Sequence, residues 1–119
     1  VRWVVELAEE IRVWYVGLTP AGKAAADRSL ERLATSGNTL RMPHSRPLSD
    51  GLYELRFTCE SVNRRITYVL EPSRHAIMLT TFHKQRQNER AEILRARRAQ
   101  AARRAAGRAD GENKRKRER

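Results

Sequence analysis

Between Leu52 and Phe82 the sequence reads as three strand-like runs separated by short polar turns, and this stretch limits the fold more than any other. Leu52–Phe57 alternates, with Tyr53, Leu55 and Phe57 on one face and Glu54 and Arg56 on the other. Arg65–Leu70 alternates likewise, with Ile66, Tyr68 and Leu70 opposite Arg65, Thr67 and Val69. A period of two is the signature of a strand with one face buried. Ala76–Phe82 is almost wholly apolar, as in a central strand covered on both sides. The turns at Cys59–Arg64 and Glu71–Arg74 are short, so the three runs must be antiparallel neighbours in a meander.

The N-terminal part adds one strand and two helices. Arg2–Leu7 is β-rich in composition. Glu9–Leu18 carries Ile11, Trp14, Tyr15 and Leu18 at helical spacing, and Thr19-Pro20 reads as an N-cap with proline at the first helical position. A second helix is expected from Pro20 to Ser36, burying Ala26, Leu30, Leu33 and Ala34, with Gly37 as its left-handed cap. Residues 38–51 read as a loop rich in turn formers. A last helix is expected from Gln87. Its only large apolar residues are Ile93 and Leu94, so only its first turns should dock. From Gly107 the composition reads as disordered. The expected architecture is α+β, β-α-α-β-β-β(-α), an antiparallel sheet packed on two N-terminal helices, with a domain at 1–100 and a basic tail at 101–119.

Charge narrows the class of partner. Of 119 residues, 25 are Lys or Arg and 14 are Asp or Glu, a formal charge of +11. Residues 95–119 hold 11 basic and 3 acidic residues, so that segment alone carries +8. No run approaches the ~18 apolar residues that span a bilayer, and no charged-then-apolar leader pattern is visible. A single cysteine, Cys59, rules out an intrachain disulfide and a Cys-rich zinc site. A small cytoplasmic protein that meets a polyanion is expected, without a membrane or a metal.

The alternation also locates candidate chemistry. If the apolar sets face the helices, Arg56 and Arg65 sit on the opposite, open face of adjacent strands. Two guanidinium groups side by side suit a phosphate, unless Glu54 and a second carboxylate neutralise them as surface ion pairs. His83-Lys84-Gln85-Arg86 follows the last strand. His83 could act as general acid or base, and Lys84 could stabilise developing negative charge. Arg46 in the long loop, Arg64 at the end of a turn and Arg86 complete the candidate substrate-binding cations. A Gly-rich phosphate loop, a paired-histidine metal motif and an acidic cluster for divalent ions are all missing from the sequence. Phosphodiester cleavage by such a set would run through basic side chains, which favours RNA with its internal 2′-hydroxyl nucleophile.

The stretch Pro43-His44-Ser45-Arg46-Pro47-Leu48-Ser49-Asp50-Gly51-Leu52-Tyr53-Glu54-Leu55-Arg56, followed by Arg65-Ile66-Thr67-Tyr68 and Phe82-His83-Lys84, resembles the RelE/HigB-like toxins of bacterial toxin–antitoxin pairs, especially their phage-associated branch. The resemblance covers roughly residues 1–100. It implies a RelE-like fold and a metal-independent endoribonuclease without cofactor that cuts ribosome-bound mRNA. It also implies an antitoxin partner, often one with a helix-turn-helix domain, for which an acidic contact segment is expected. Arg56 and Arg65 match the family's strand arginines, and His83 and Lys84 its polar residues after the last strand. The sequence departs from some relatives in two places. Tyr53 and Glu54 replace a lysine pair, and no tyrosine lies between Gln85 and Leu94. Two rival readings remain: a non-catalytic toxin of the same fold that binds DNA gyrase, and a basic nucleic-acid-binding module.

Overall fold

The computed structural model describes residues 1–117, with side-chain surroundings through Arg108. The chain runs β1 (Val4–Leu7), α1 (Glu9–Val16), α2 (Pro20–Ser36), a 3-10 turn (Gly37–Thr39), β2 (Ser45–Ser49), β3 (Leu52–Cys59), β4 (Val62–Glu71), β5 (His75–His83) and α3 (Glu89–Arg117). One five-stranded sheet has the order β1-β5-β4-β3-β2. The meander β3-β4-β5 forms its centre, with Arg56 opposite Arg65 and Arg65 opposite Phe82. β1 lies parallel to β5, and every other pair is antiparallel.

The first layer follows the sequence pattern closely. Thr19 caps α2 by accepting the N–H of Gly22 at 3.0 Å, and Pro20 takes the first helical position. Ile11 and Leu33 from the helices meet Leu55, Ile66, Tyr68, Ala76 and Met78 from the sheet, and all are essentially inaccessible. Gly37 ends α2 at φ +52°, and a Cβ there would stand 1.9 Å from the Trp3 indole nitrogen. Both the backbone conformation and the packing of β1 on α2 therefore need glycine.

Two expectations are corrected. The stretch read as a loop contains β2, whose Arg46 pairs with Glu54 and Pro47 with Tyr53. Proline lacks the N–H that an inner strand needs, but β2 is an edge strand, where proline is tolerated. The second correction concerns the face taken to be open. α3 covers part of it, packing Ala96 and Ala99 on Leu52, Val69, Ile77 and Leu79. Small side chains let the helix lie close to the sheet, so docking does not depend on a stripe of large apolar residues.

Polar contacts extend this docking well beyond the first turns. Arg97 donates to the carbonyls of Leu48 and Ser49, Gln100 to that of Asp50, and Arg103 to the carboxylate of Glu71 at 2.9 Å. The helix continues to Arg117, through the boundary expected at 100/101 and the disorder expected from Gly107. No helix among the described residues is long and apolar enough to cross a membrane.

Candidate active site

The face that carries α3 has a second, charged end, near the first residue of that helix. In a strand, residues two apart share a face, so Glu54 and Arg56 of β3 project on the side of Leu52. Pairing brings Arg46 opposite Glu54, and Arg65 opposite Arg56. Glu54 is 2% exposed, and its Oε1 lies 3.6 Å from Arg46 Nε, 3.7 Å from Arg56 Nε and 3.6 Å from Arg65 Nε. These separations are ionic contacts, longer than hydrogen bonds. Accordingly the three Nε groups and Glu54 Oε2 are buried without a hydrogen-bond partner.

A second carboxylate closes the outer side. Glu89, at the start of α3, accepts from Arg46 Nη2 at 2.6 Å and lies 3.2 Å from Lys84 Nζ. These contacts hold the Glu89 carboxyl below its ordinary value, through the Arg46 hydrogen bond first and the Lys84 one second. Burial, followed by repulsion from Arg56, pulls the Arg65 guanidinium below its ordinary value, and Glu54 opposes this. An arginine remains cationic under such a pull. Four cations (Arg46, Arg56, Arg65, Lys84) thus face two carboxylates (Glu54, Glu89). The excess of two positive charges suits an anion of phosphate type.

The structure assembles four of the seven residues singled out from sequence and separates three. Arg46, Arg56, Arg65 and Lys84 come together as described. Arg64 pairs with Phe57 and His83, on the opposite face from Arg65. Its guanidinium lies 5.2 Å from the centroid of the Trp14 ring, a cation–π contact against α1. His83 shares that register, so its ring belongs to the face turned away from the arginine pair. Arg86 is exposed in the connection to α3. One further correction concerns Arg65, expected largely outside the core but only 8% exposed. It lies in the inner strand β4, between Arg56 of β3 and Phe82 of β5.

Sequence reasoning left Glu54 as a surface counter-ion, whereas it is the buried centre of the cluster. The signal was there, because Glu54 has the same parity as Arg56. Glu89 gave no local signal, since it meets Arg46 across 43 residues. Among the described residues no three His, Cys, Asp or Glu side chains gather as a metal site requires. A hollow of about 670 Å³ lies between β1 and α2 beside Trp3 and Leu30, at the far edge of the sheet.

The fold is similar to that of two solved structures of the RelE kind. The RelBE2 toxin–antitoxin complex of Mycobacterium tuberculosis contains a chain that superposes with a TM-score of 0.54 at 18% identity, covering 71% of this chain and all of that one. A mutant of the E. coli toxin RelE in the free state gives 0.57 at 10% identity, covering 79% of this chain and 92% of that one. At such identities the likeness is one of fold. Residues 13–104 match the family described as Phage derived protein Gp49-like (DUF891), and the chain belongs to that family. No curated protein matches the chain.

Proposed function

We propose that this chain is the toxin of a type II toxin–antitoxin pair, of the HigB-like branch, and that it is a metal-independent endoribonuclease acting on ribosome-associated mRNA. The observation that carries the reading is the excess of cations at Arg46, Arg56, Arg65 and Lys84, held by two carboxylates on one sheet face. The resemblance to toxins of this fold supports it further. Arg56 and Arg65 grip the scissile phosphate. The 2′-hydroxyl oxygen attacks phosphorus, the bond to the 5′-oxygen breaks, and the guanidinium groups stabilise the charge that builds on the non-bridging oxygens. Arg46 and Lys84 add to this field. Because the register turns His83 away, the 2′-hydroxyl proton passes to water, the departing 5′-oxygen takes a proton from water to become a hydroxyl, and His83→Ala keeps most of the activity.

The protein acts in the cytoplasm, and its antitoxin, a helix-turn-helix protein, presents an acidic segment to the basic face. Electrostatic steering favours such a partner. A second reading is a toxin of the same fold that binds DNA gyrase without catalysis. It is favoured by the register that puts His83 on the other face and by the contact of His44 Nδ1 with Arg32 of α2. Expression of the full chain in a bacterial host, with RNA ends mapped, separates the two. The first reading expects new 5′-hydroxyl ends paired with 2′,3′-cyclic phosphates, and growth restored by the antitoxin. Growth arrest with intact RNA and inhibited supercoiling would overturn it in favour of gyrase.

A further inference from the structure

The two carboxylates of the basic cluster hold their cations in different ways. Glu54 is buried and faces the inner Nε side of three arginines, where no incoming ligand can reach. Glu89 is 38% exposed and takes the outer donors, Arg46 Nη2 and Lys84 Nζ. Arg46 and Lys84 are themselves 39% and 28% exposed, so solvent reaches all three groups. A carboxylate and a phosphate offer the same pair of anionic oxygens to a guanidinium fork. Glu89 therefore stands where a phosphate oxygen would bind, and competes with it for the outer N–H groups of both cations.

We propose that Glu89 is an internal competitor, a tethered anion that a ligand phosphate must displace from Arg46 and Lys84. The inference rests on the RNA-cleaving reading for the identity of that ligand, and on the contacts alone for the exchange. Anchored at the first turn of α3, Glu89 faces its cations at a high effective concentration, so weakly bound free phosphates are turned away. Once displaced, it leaves three charges in excess instead of two. The site thus tightens its electrostatic hold on the ligand only after the exchange. Glu92, one turn further on, bonds to Arg95 outside the cluster and supplies a control of equal charge.

The test titrates inorganic phosphate, and separately a 2′-O-methyl oligoribonucleotide that cannot be cleaved, into the wild type, Glu89→Gln and Glu92→Gln. Calorimetry at low salt gives the affinities and thermal melting checks the fold. Glu89→Gln is expected to tighten binding of both probes about tenfold, the advantage shrinking as salt rises. Glu92→Gln should change it less than about twofold, since its charge already belongs to Arg95. Equal gains in the two variants would mean a general field effect and overturn the proposal. Weaker binding by Glu89→Gln would make Glu89 a residue that positions the cations, and would overturn it too. Cleavage by the same proteins reads the enzyme separately. A chain that cuts no RNA but gains phosphate affinity through Glu89→Gln keeps the exchange and loses the ribonuclease. One that cuts RNA without that gain keeps the ribonuclease and loses the exchange.

Discussion

One face of the sheet has two ends built on opposite principles. Under α3, Leu52, Val69, Ile77 and Leu79 meet Ala96, and the contact is apolar and closed. Two residues further along β3 the same face carries Glu54, then Arg56, and the partner strand offers Arg65 where Val69 stood. The strands are continuous, and a bulge in the β4–β5 pairing at Thr67/Tyr68 separates the two ends. The apolar end derives its stability from water excluded between sheet and helix. The charged end holds like charges together by means of one buried carboxylate. The difference lies in what fills the face: small side chains of a helix at one end, and at the other arginines gathered around an interior glutamate.

The largest expected effect tests the charged end directly. Arg56→Ala and Arg65→Ala should each slow RNA cleavage by about 10²–10³, the scale for losing one donor to a developing oxyanion. Lysine at either position should restore only part, because a point charge lacks the guanidinium fork. The two should part company in stability. Arg56, with a 27% exposed side chain, is expected to be lost with little change in melting, whereas Arg65 is covered and its loss should lower the melting temperature. Cleavage at the wild-type rate by well-folded variants would remove the site.

Glu54→Gln tests what holds the arginines. Breaking a buried pair by neutralising one partner costs about 3–5 kcal/mol when all groups are enclosed. Arg46 and Arg56 are partly solvated, so about 2–3 kcal/mol is expected in urea denaturation. Combining it with Arg65→Met should recover much of the loss. At the apolar end, Leu79→Ala should cost about 2–3 kcal/mol by leaving a cavity under α3, while phosphate affinity at the far end changes less than about twofold. A large loss of phosphate binding in that variant would show that the ends are coupled through the helix.

Acid should loosen α3 before the sheet. Glu71 is held below its ordinary value of 4.5 by the Arg103 hydrogen bond first, and Glu89 is lowered likewise by Arg46 and Lys84. Carboxyls lowered by folding contribute stability that is present above about 4.5 and lost as pH falls through the depressed values. Amide exchange in α3 should accelerate in that window while β4 stays protected. The smallest effect is expected from deleting residues 107–119. Melting should hardly change, while the salt dependence of RNA binding should become shallower as the six basic residues there are lost. Unfolding on that deletion would make the end of α3 part of the domain's stability.

Much of the fold was legible because period-two and helical spacing are local properties that burial enforces everywhere in the core. The placement of Tyr53, Leu55 and Phe57 beside Ile66 and Tyr68, and the cap at Thr19, follow from the sequence alone. β2 was hidden because prolines at 43 and 47 speak against a strand, and only the empty edge of β3 overrides them. The docking of α3 was hidden because alanines carry no strong apolar signal, and the arginines that strap it find partners about 30–50 residues away. For the site, parity placed Arg56 and Arg65 on one face.

That same parity should have separated Arg64 from Arg65, and it was the register across to β5 that turned His83 away with Arg64. The sequence by itself determined the sheet's centre, the two-helix layer and a pair of facing arginines, since each depends on spacing within a strand or helix. Only the tertiary structure decided that Glu54 is interior, that Glu89 closes the site from another element, and that the second face is half covered. Those facts depend on where separate segments meet, and no periodicity within a segment records that.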